Sequence, residues 1–445
     1  YIREQQQASF PFNVPKDDVL TLINSLPFQL TGDQKKAIND IFADLSKSYP
    51  MNRLLEGDVG SGKTVVAAIA MYVAHRNGFQ SALMAPTQIL AEQHFTTISQ
   101  LLSPLGIHIG LMTASRKDTD EVQDIFIGTH ALLSGSLIFD QLGLVIIDEQ
   151  HRFGVSQRQT LMEKSKKGKM PHLLTMTATP IPRTVAKTIL GHMDLSTLTE
   201  MPHGRVRIKT WLVPTKKRTP AYAWISKQLS STGGQAFVIC PLIEESETLV
   251  SVKAVTEEYQ NLTKIFPKVS LGLLHGRMKP NEKSRVLTEF RENKIRILVA
   301  TPVVEVGIDI PNATIMMIEA SERFGLGQLH QLRGRVGRGS LASYCLLFTE
   351  NEDEKTLTRL KSLETIFSGP ELAEVDLKLR GPGELLGTRQ HGLPNLKIAE
   401  FTDMVLIEQT QKALQLLISE DPSFTKFPLL REKAQKSTIE SVTQD

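Results

Sequence analysis

Two groups of residues, at positions 57–64 and 331–338, have the types and spacing to do chemistry on a phosphate ester. The first is Gly57-Asp58-Val59-Gly60-Ser61-Gly62-Lys63-Thr64, a glycine followed at fixed spacing by Gly-Lys-Thr. This is the pattern of a loop that wraps the phosphates of a nucleoside triphosphate. Gly57, Gly60 and Gly62 let backbone N–H groups turn toward the anion. Lys63 can reach the β- and γ-phosphates, and the Thr64 hydroxyl can ligate Mg²⁺. The second group, Gln331-Leu332-Arg333-Gly334-Arg335-Val336-Gly337-Arg338, supplies arginines of the kind that complete such a site from outside.

Carboxylates stand where the first group needs them. Leu144-Val145-Ile146-Ile147 is a continuous apolar run ending in Asp148-Glu149-Gln150-His151. Such a run predicts a central parallel strand buried on both faces, and ligands bind at the C-terminal edge of parallel sheets. Asp148 is placed to hold Mg²⁺ and Glu149 to polarise the attacking water.

These groups need elements to position them. Arg53-Leu54-Leu55 reads as the strand entering the loop, and Val65 to Val73 as the helix whose N-terminus faces the anion. Apolar runs alternate with helical patterns along most of the chain, which predicts parallel α/β sheets. One set of strands falls near Leu54, Leu83, Ile109, Ile127, Ile146 and Leu174. After a break at Pro202-His203-Gly204, a second falls near Ile208, Val238, Leu273, Leu298, Ile315 and Leu347. Beyond Glu350 the pattern turns helical, with a candidate helix over Asn351 to Phe367. The expected division is 1–26 as a linker or the end of a preceding domain, 27–200 and 201–350 as α/β lobes, and 351–445 as a helical region. Thr113 to Asp124 is short for a helical crossover.

Composition sets outer bounds. The chain has 445 residues, 41% apolar, with a net charge of +3. A nucleic-acid surface would therefore be a local patch. Cys240 and Cys345 lie far apart in apolar runs, which excludes a disulfide framework or a cysteine zinc site. No apolar run approaches a membrane span.

Asp148-Glu149-Gln150-His151 after this loop resembles the DExH group of superfamily 2 helicases, and further stations follow in order. Ala85-Pro86-Thr87 and Gly128-Thr129-His130 resemble first-lobe DNA-contact motifs. Thr177-Ala178-Thr179-Pro180 resembles the motif coupling nucleotide state to DNA grip, and Thr301 to Gly307 the second-lobe DNA motif. Phe28-Gln29-Leu30-Thr31 with Gln34 resembles the adenine-side motif. The resemblance narrows to RecG-type branched-DNA helicases through Asp148 to Gly154, Pro180 to Thr184, His275 to Met278, and Arg380 to Gly392. It implies two RecA-like parallel-sheet lobes in tandem plus a C-terminal helical hairpin and loop. It implies ATP and Mg²⁺ as cofactors, Gln34 as base reader, and Arg335 and Arg338 on the γ-phosphate, with Arg338 as the finger. Thr87, Thr129 and Thr301 are implied as DNA contacts and Thr177 and Thr179 as coupling residues. Arg359 and Arg380 are implied as paired hairpin arginines, with Gln390 as the loop contact.

The function so implied is an ATP-dependent double-stranded DNA translocase that remodels stalled forks and Holliday junctions in recombination and repair. It would act as a monomer on bacterial cytoplasmic, nucleoid DNA, with a single-strand-binding protein as a further partner. Nothing before Pro27 is long enough for the family's wedge domain, so a motor core is expected. A transcription-repair coupling translocase and a nucleotide-gated DNA-binding module are the alternatives.

Some residues admit a plainer role. His130 and His275 can be structural, Lys164 to Lys169 a solvated loop, and Arg333 a packing or salt-bridge residue. Pro302 removes a backbone donor within its motif, and Gly369-Pro370 is expected to interrupt the hairpin.

Overall fold

The computed structural model describes residues 8–118, 123–135, 137–165, 169–180, 182, 193–201, 207–241, 248–302, 310–337, 339, 341–380, 404–421 and 424–433. Its apolar runs form two sheets in which every strand pair is parallel. The first contains β1 (Asn52–Gly57), β2 (Gln80–Met84), β3 (Ile109–Met112), β4 (Ile125–Gly128), β5 (Leu142–Asp148), β6 (His172–Thr177) and β7 (Asp194–Leu198). They lie in the order β3-β4-β2-β5-β6-β1-β7. The second contains β8 (Lys209–Val213), β9 (Gln235–Ile239), β10 (Leu271–Leu274), β11 (Ile297–Ala300), β12 (Ala313–Ile318) and β13 (Tyr344–Phe348), in the order β10-β11-β9-β12-β13-β8. The second order repeats the first six places of the first, β8 standing for β1 and β13 for β6, with no described counterpart of β7. This is the RecA-like arrangement, twice. Every predicted strand is found; β7 is additional. Its residues, Asp-Leu-Ser-Thr-Leu, are partly exposed at a sheet edge and so lack a continuous apolar run.

Helices cover the sheets. Those used below are α1 (Lys16–Ser25), α2 (Gly32–Leu45), α3 (Lys63–Arg76), α4 (Gln88–Leu102), α5 (Arg218–Thr232), α6 (Leu326–Arg333), α7 (Glu354–Thr365) and α8 (Gly369–Arg380). Residues expected as a linker pack on the first lobe from position 8 onward. Phe12 stacks on Phe79 at 5.1 Å, and Val19 and Leu22 of α1 join the same core. Between β3 and β4 the described chain turns back tightly, with Thr113 N donating to Arg116 O at 2.7 Å.

The candidate helix over 351–367 is α7, capped by Asp353, whose carboxylate accepts from Thr356 N at 3.0 Å. The expected interruption at Gly369-Pro370 is a break between two helices, α7 ending at Thr365 and α8 starting at Gly369. The pair opens α8, where a first-turn proline lacks only an N–H that would have had no helical partner. Leu326, Leu329, Leu360, Leu363 and Leu372 bury α6, α7 and α8 together against the second sheet. Among the described residues, no helix is long and apolar enough to cross a membrane.

Candidate nucleotide site between the two sheets

The loop from Gly57 to Thr64 leaves β1 at its C-terminal edge and enters α3. Gly60 and Gly62 take the left-handed conformation, with φ of 82° and 88°. At Gly62 a side chain is also excluded sterically, since a Cβ would lie 2.2 Å from Gln34 Nε2. Gln34 sits in the first turn of α2 in a reciprocal cap with Thr31. Its Oε1 accepts from Thr31 N at 2.9 Å, and its Nε2 donates to Ser61 O at 2.7 Å. The residue expected to read the base therefore also braces the loop.

Lys63 Nζ donates to Gly57 O at 2.5 Å and Asp58 O at 3.1 Å. Burial pushes its ammonium below the ordinary value, while Glu149, Asp148 and Asp58 oppose that shift. The two carboxylates ending β5 are driven apart. For Asp148, burial disfavours the charge, but the His94 hydrogen bond, the Lys63 charge and the Glu149 amide outweigh it and hold the group below the usual range. For Glu149, burial and then the adjacent Asp148 charge push the carboxyl up. Glu149 has φ 51°, a conformation rare outside glycine, and its Oε2 accepts from Ala178 N at 3.3 Å. Strain at such a position is often a mark of function.

The second sheet closes the site. Arg335 lines a cleft of about 640 Å³ together with Lys63, Thr64, Asp148 and Glu149. Its charge lies close enough to oppose protonation of both Lys63 and Glu149. From α6, Gln331 Nε2 donates to Thr179 Oγ1 at 2.9 Å, and Thr177 Oγ1 accepts from Thr179 N at 3.0 Å. A path of direct contacts thus runs from Glu149 along residues 177–179 to α6. A second crossing joins His330 Nε2 to Asp58 Oδ1 at 2.8 Å, both side chains nearly buried. Gly369, at the start of α8, sits against this pair; a Cβ there would lie 2.5 Å from Asp58 Oδ1.

Arg333 takes the packing role. Nη1 donates to Leu363 O at 2.8 Å, Nη2 contacts His330 Nδ1 at 2.7 Å, and the guanidinium lies over Phe367. Arg359 is buried rather than solvated. It donates to Phe324 O and Glu322 O at 2.9 and 2.8 Å and pairs with Asp376 of α8, tying α7 to α8 and to the base of α6.

The expected DNA-contact threonines all follow strand ends: Thr87 after β2, Thr129 after β4 and Thr301 after β11. Thr87 caps α4, accepting from Leu90 N at 3.3 Å. The Thr301 hydroxyl is buried. His130 contacts Gln157 and the Phe153 ring. Lys164 donates to the carbonyls of Ser134 and Leu137, a structural rather than a solvated role. Arg338, Gln390, the Arg380 side chain and most of the motif after Thr301 lie outside the described residues.

Three residues of the site were not singled out from sequence: Asp58, His330 and His94. His330 and Arg333 stand three apart on α6, a spacing that shares a helix face. That was the available signal. His94 Nε2 lies 2.7 Å from Asp148 Oδ2, and its only local cue is a place on the buried face of α4 with Ala91 and Ile98.

Comparison with known proteins agrees with this geometry. Residues 31–188 match the DEAD/DEAH box helicase family, and 221–340 the helicase conserved C-terminal domain. Residues 367–432 match the C-terminal part of domain 3 of ATP-dependent DNA helicase RecG. The chain is 46% identical to ATP-dependent DNA helicase RecG of Synechocystis sp., over 97% of this chain and 53% of the relative. It is 45% identical to that of Bacillus subtilis, over 98% and 65%. The structure of RecG bound to a three-way DNA junction superposes with TM-score 0.76 at 43% identity, covering 91% of this chain and 54% of the other. The chain thus spans about half to two thirds of the length of these relatives. Yeast Dbp5, bound to RNA and ADP BeF3, shares the fold alone, at TM-score 0.56 and 18% identity.

Proposed function

The chain belongs to the RecG family of ATP-dependent DNA helicases, and from that premise we propose that it is an ATP-driven translocase on double-stranded and branched DNA. The observation that carries this reading is the cleft lined from both sheets, with Lys63, Thr64, Asp148 and Glu149 on one wall and Arg335 on the other. A site split between two lobes assembles when they close and comes apart when they open, which is what a motor requires.

In this reading the loop N–H groups and Lys63 hold the phosphates. Gln34 fixes the loop and faces the base. Glu149, with its carboxyl pushed up by burial and Asp148, orients and deprotonates the attacking water. Arg335, with Arg338, neutralises charge that builds on the γ-phosphate oxygens. The donor set fits Mg²⁺: the Thr64 hydroxyl and the Asp148 carboxylate are hard oxygen ligands on one cleft. Among the described residues no cluster of three or more acidic, His or Cys groups forms a protein cage. That suits an ion held by one or two protein oxygens plus phosphates. Bound there by Thr64 and Asp148, Mg²⁺ would supply positive charge that offsets that of the phosphates.

Thr177 and Thr179 then report the state of Glu149 to α6. Arg359 fastens α6 to the hairpin formed by α7 and α8; α8 ends at Arg380, and Gln390 follows it in the sequence. Thr87, Thr129 and Thr301, at strand ends, are proposed to grip DNA phosphates. We divide the chain into 1–26, a first lobe over 27–200, a second over 201–350 and a hairpin region over 351–445. We place it as a monomer on bacterial nucleoid DNA, with single-strand-binding protein as a candidate partner.

Triplex displacement from linear duplex and strand displacement from forks, each with ATP, test the proposal. ATP-dependent displacement on either is expected. DNA-stimulated hydrolysis with no displacement on both would favour the nucleotide-gated binding module instead.

A further inference from the structure

His94 is a buried polar ring on a helix face that apolar residues otherwise fill. Along α4, Ala91, His94, Ile98 and Leu102 are the buried positions. A histidine there needs a partner, and its partner is the carboxylate proposed to hold the metal ion. His94 Nε2 lies 2.7 Å from Asp148 Oδ2, and both residues are 7% exposed. The other carboxylate oxygen, Oδ1, accepts from Glu149 N at 3.1 Å. The carboxylate plane is therefore set by contacts at both oxygens, one from its own strand end and one from α4. The same helix begins at Thr87, whose side chain caps it. From Thr87 to His94 is about two helical turns, roughly 10 Å of rigid rod. His94 also lines the cleft that Lys63, Thr64 and Arg335 share.

We propose that His94 is a positioning residue: its hydrogen bond orients the Asp148 carboxylate for the metal ion and ties that orientation to α4, so that DNA contact at Thr87 tightens the metal–nucleotide site. The proposal rests on the reading above, in which Asp148 holds Mg²⁺ and Thr87 meets DNA. A partner that fixes a metal ligand from behind commonly changes metal affinity by about 10- to 100-fold when removed.

The test uses Mn²⁺ as a paramagnetic stand-in, titrated by electron paramagnetic resonance into the whole chain with ADP present, so that no turnover occurs. The variants are His94→Ala, His94→Asn and His94→Gln. The glutamine amide reaches the Nε2 position, whereas the asparagine amide falls short. Removing the hydrogen bond in the Ala and Asn variants should weaken Mn²⁺ binding by at least about 10-fold, with the Gln variant recovering most of the loss. ADP affinity in EDTA should be unchanged in all three. Adding linear duplex should tighten Mn²⁺ binding in wild type and not in the Ala or Asn variants.

Wild-type Mn²⁺ affinity in both Ala and Asn variants overturns the proposal. So does a Gln variant no better than Asn, which would mean the ring is needed only for packing. An equal response to duplex in wild type and Asn overturns the link to α4. If His94→Ala does not fold, as judged by its thermal transition, the Asn–Gln comparison decides. A wild-type protein that binds ADP but shows no ADP-dependent Mn²⁺ site would instead sink the assignment of Asp148, a result separate from any variant.

Discussion

His330→Ala should weaken ATP binding without unfolding either lobe. The His330–Asp58 contact joins α6 to the phosphate loop at 2.8 Å, with side chains only 7% and 11% exposed. Burial disfavours the Asp58 charge, and His330, Lys63 and Arg333 outweigh it, holding the carboxyl below its usual range. Stripping one partner from a fully buried pair costs about 3–5 kcal/mol. Here Lys63 and Arg333 remain, so the loss is nearer one charge-assisted hydrogen bond, about 2 kcal/mol. That is roughly 30-fold in an equilibrium constant. The contact exists only with the lobes together, so the loss falls on closure, and apparent ATP affinity drops with the closed population. The assay is KM for ATP at saturating DNA, paired with direct binding of a fluorescent ATP analogue. Asp58→Asn in the His330→Ala background supplies the control. With Asp58 neutral the carboxylate that His330 would leave unpaired is gone, so the double variant should lose less than the sum of the singles. A KM shift below about 3-fold, or strictly additive losses, would refute the view that this pair holds the lobes closed.

Three other outcomes follow from the site. Lys63→Ala and Arg335→Ala should each lower DNA-stimulated ATPase by about 100-fold or more, the scale of losing a charge that stabilises phosphoryl transfer, read by phosphate release. Gly62→Ala should cost about 1–3 kcal/mol of backbone strain, besides driving Gln34 off the loop, and a nucleotide titration should show the loss directly. Burial pushes the Glu319 carboxyl up to about 7 from 4.5. The folded state then holds that proton more tightly than the unfolded chain, so its contribution is full at low pH and fades as pH rises from 4.5 to 7. Burial holds His172 down to about 4 from 6.5 and so acts in the opposite sense over nearly the same range, which makes the test a difference: the melting temperature of the wild type relative to Glu319→Gln should fall between pH 4.5 and 7.

Elements and chemistry differed in how readily the sequence showed them. Strands such as Leu142–Asp148 are buried along their whole length, so a continuous apolar run marked them. The phosphate loop was readable because glycines at 60 and 62 are required by positive φ. What stayed hidden depends on contacts far apart in sequence. His94 meets Asp148, and His330 meets Asp58, only because sheet order and lobe closure bring them together. No local periodicity encodes either pairing. Gly369-Pro370 signals a break between helices, but only the packing of α7 against α8 shows that the pair opens the second one. Arg359 was legible as a hairpin arginine only through the resemblance; its burial against Asp376 and two carbonyls depends on α8 and on the turn before α6.

The duplicated topology sets the described residues of the two lobes against each other position by position. Asp148-Glu149-Gln150-His151-Arg152-Phe153-Gly154 at the end of β5 has a counterpart at the end of β12, Glu319-Ala320-Ser321-Glu322-Arg323-Phe324-Gly325. Glu149 and Ala320 share the left-handed conformation, with φ of 51° and 44°. Each is followed by a short 3-10 turn, and then by a helix whose Gln157 or Gln328 accepts from the Gly154 or Gly325 amide. The backbone was retained while the chemistry changed. Where β1 leads through glycines to Lys63 at the head of α3, β8 leads through Pro214-Thr215-Lys216-Lys217 to Arg218 at the head of α5. Without those glycines the second loop cannot turn its amides onto phosphates. Arg218 is ion-paired to Glu319, the counterpart of Asp148, so the groups that would meet a nucleotide meet each other. Ala320 stands where the first lobe has Glu149, the residue proposed to activate water. Among its described residues the second lobe thus lacks a phosphate loop at this edge, and its Arg335 lines the cleft of the first.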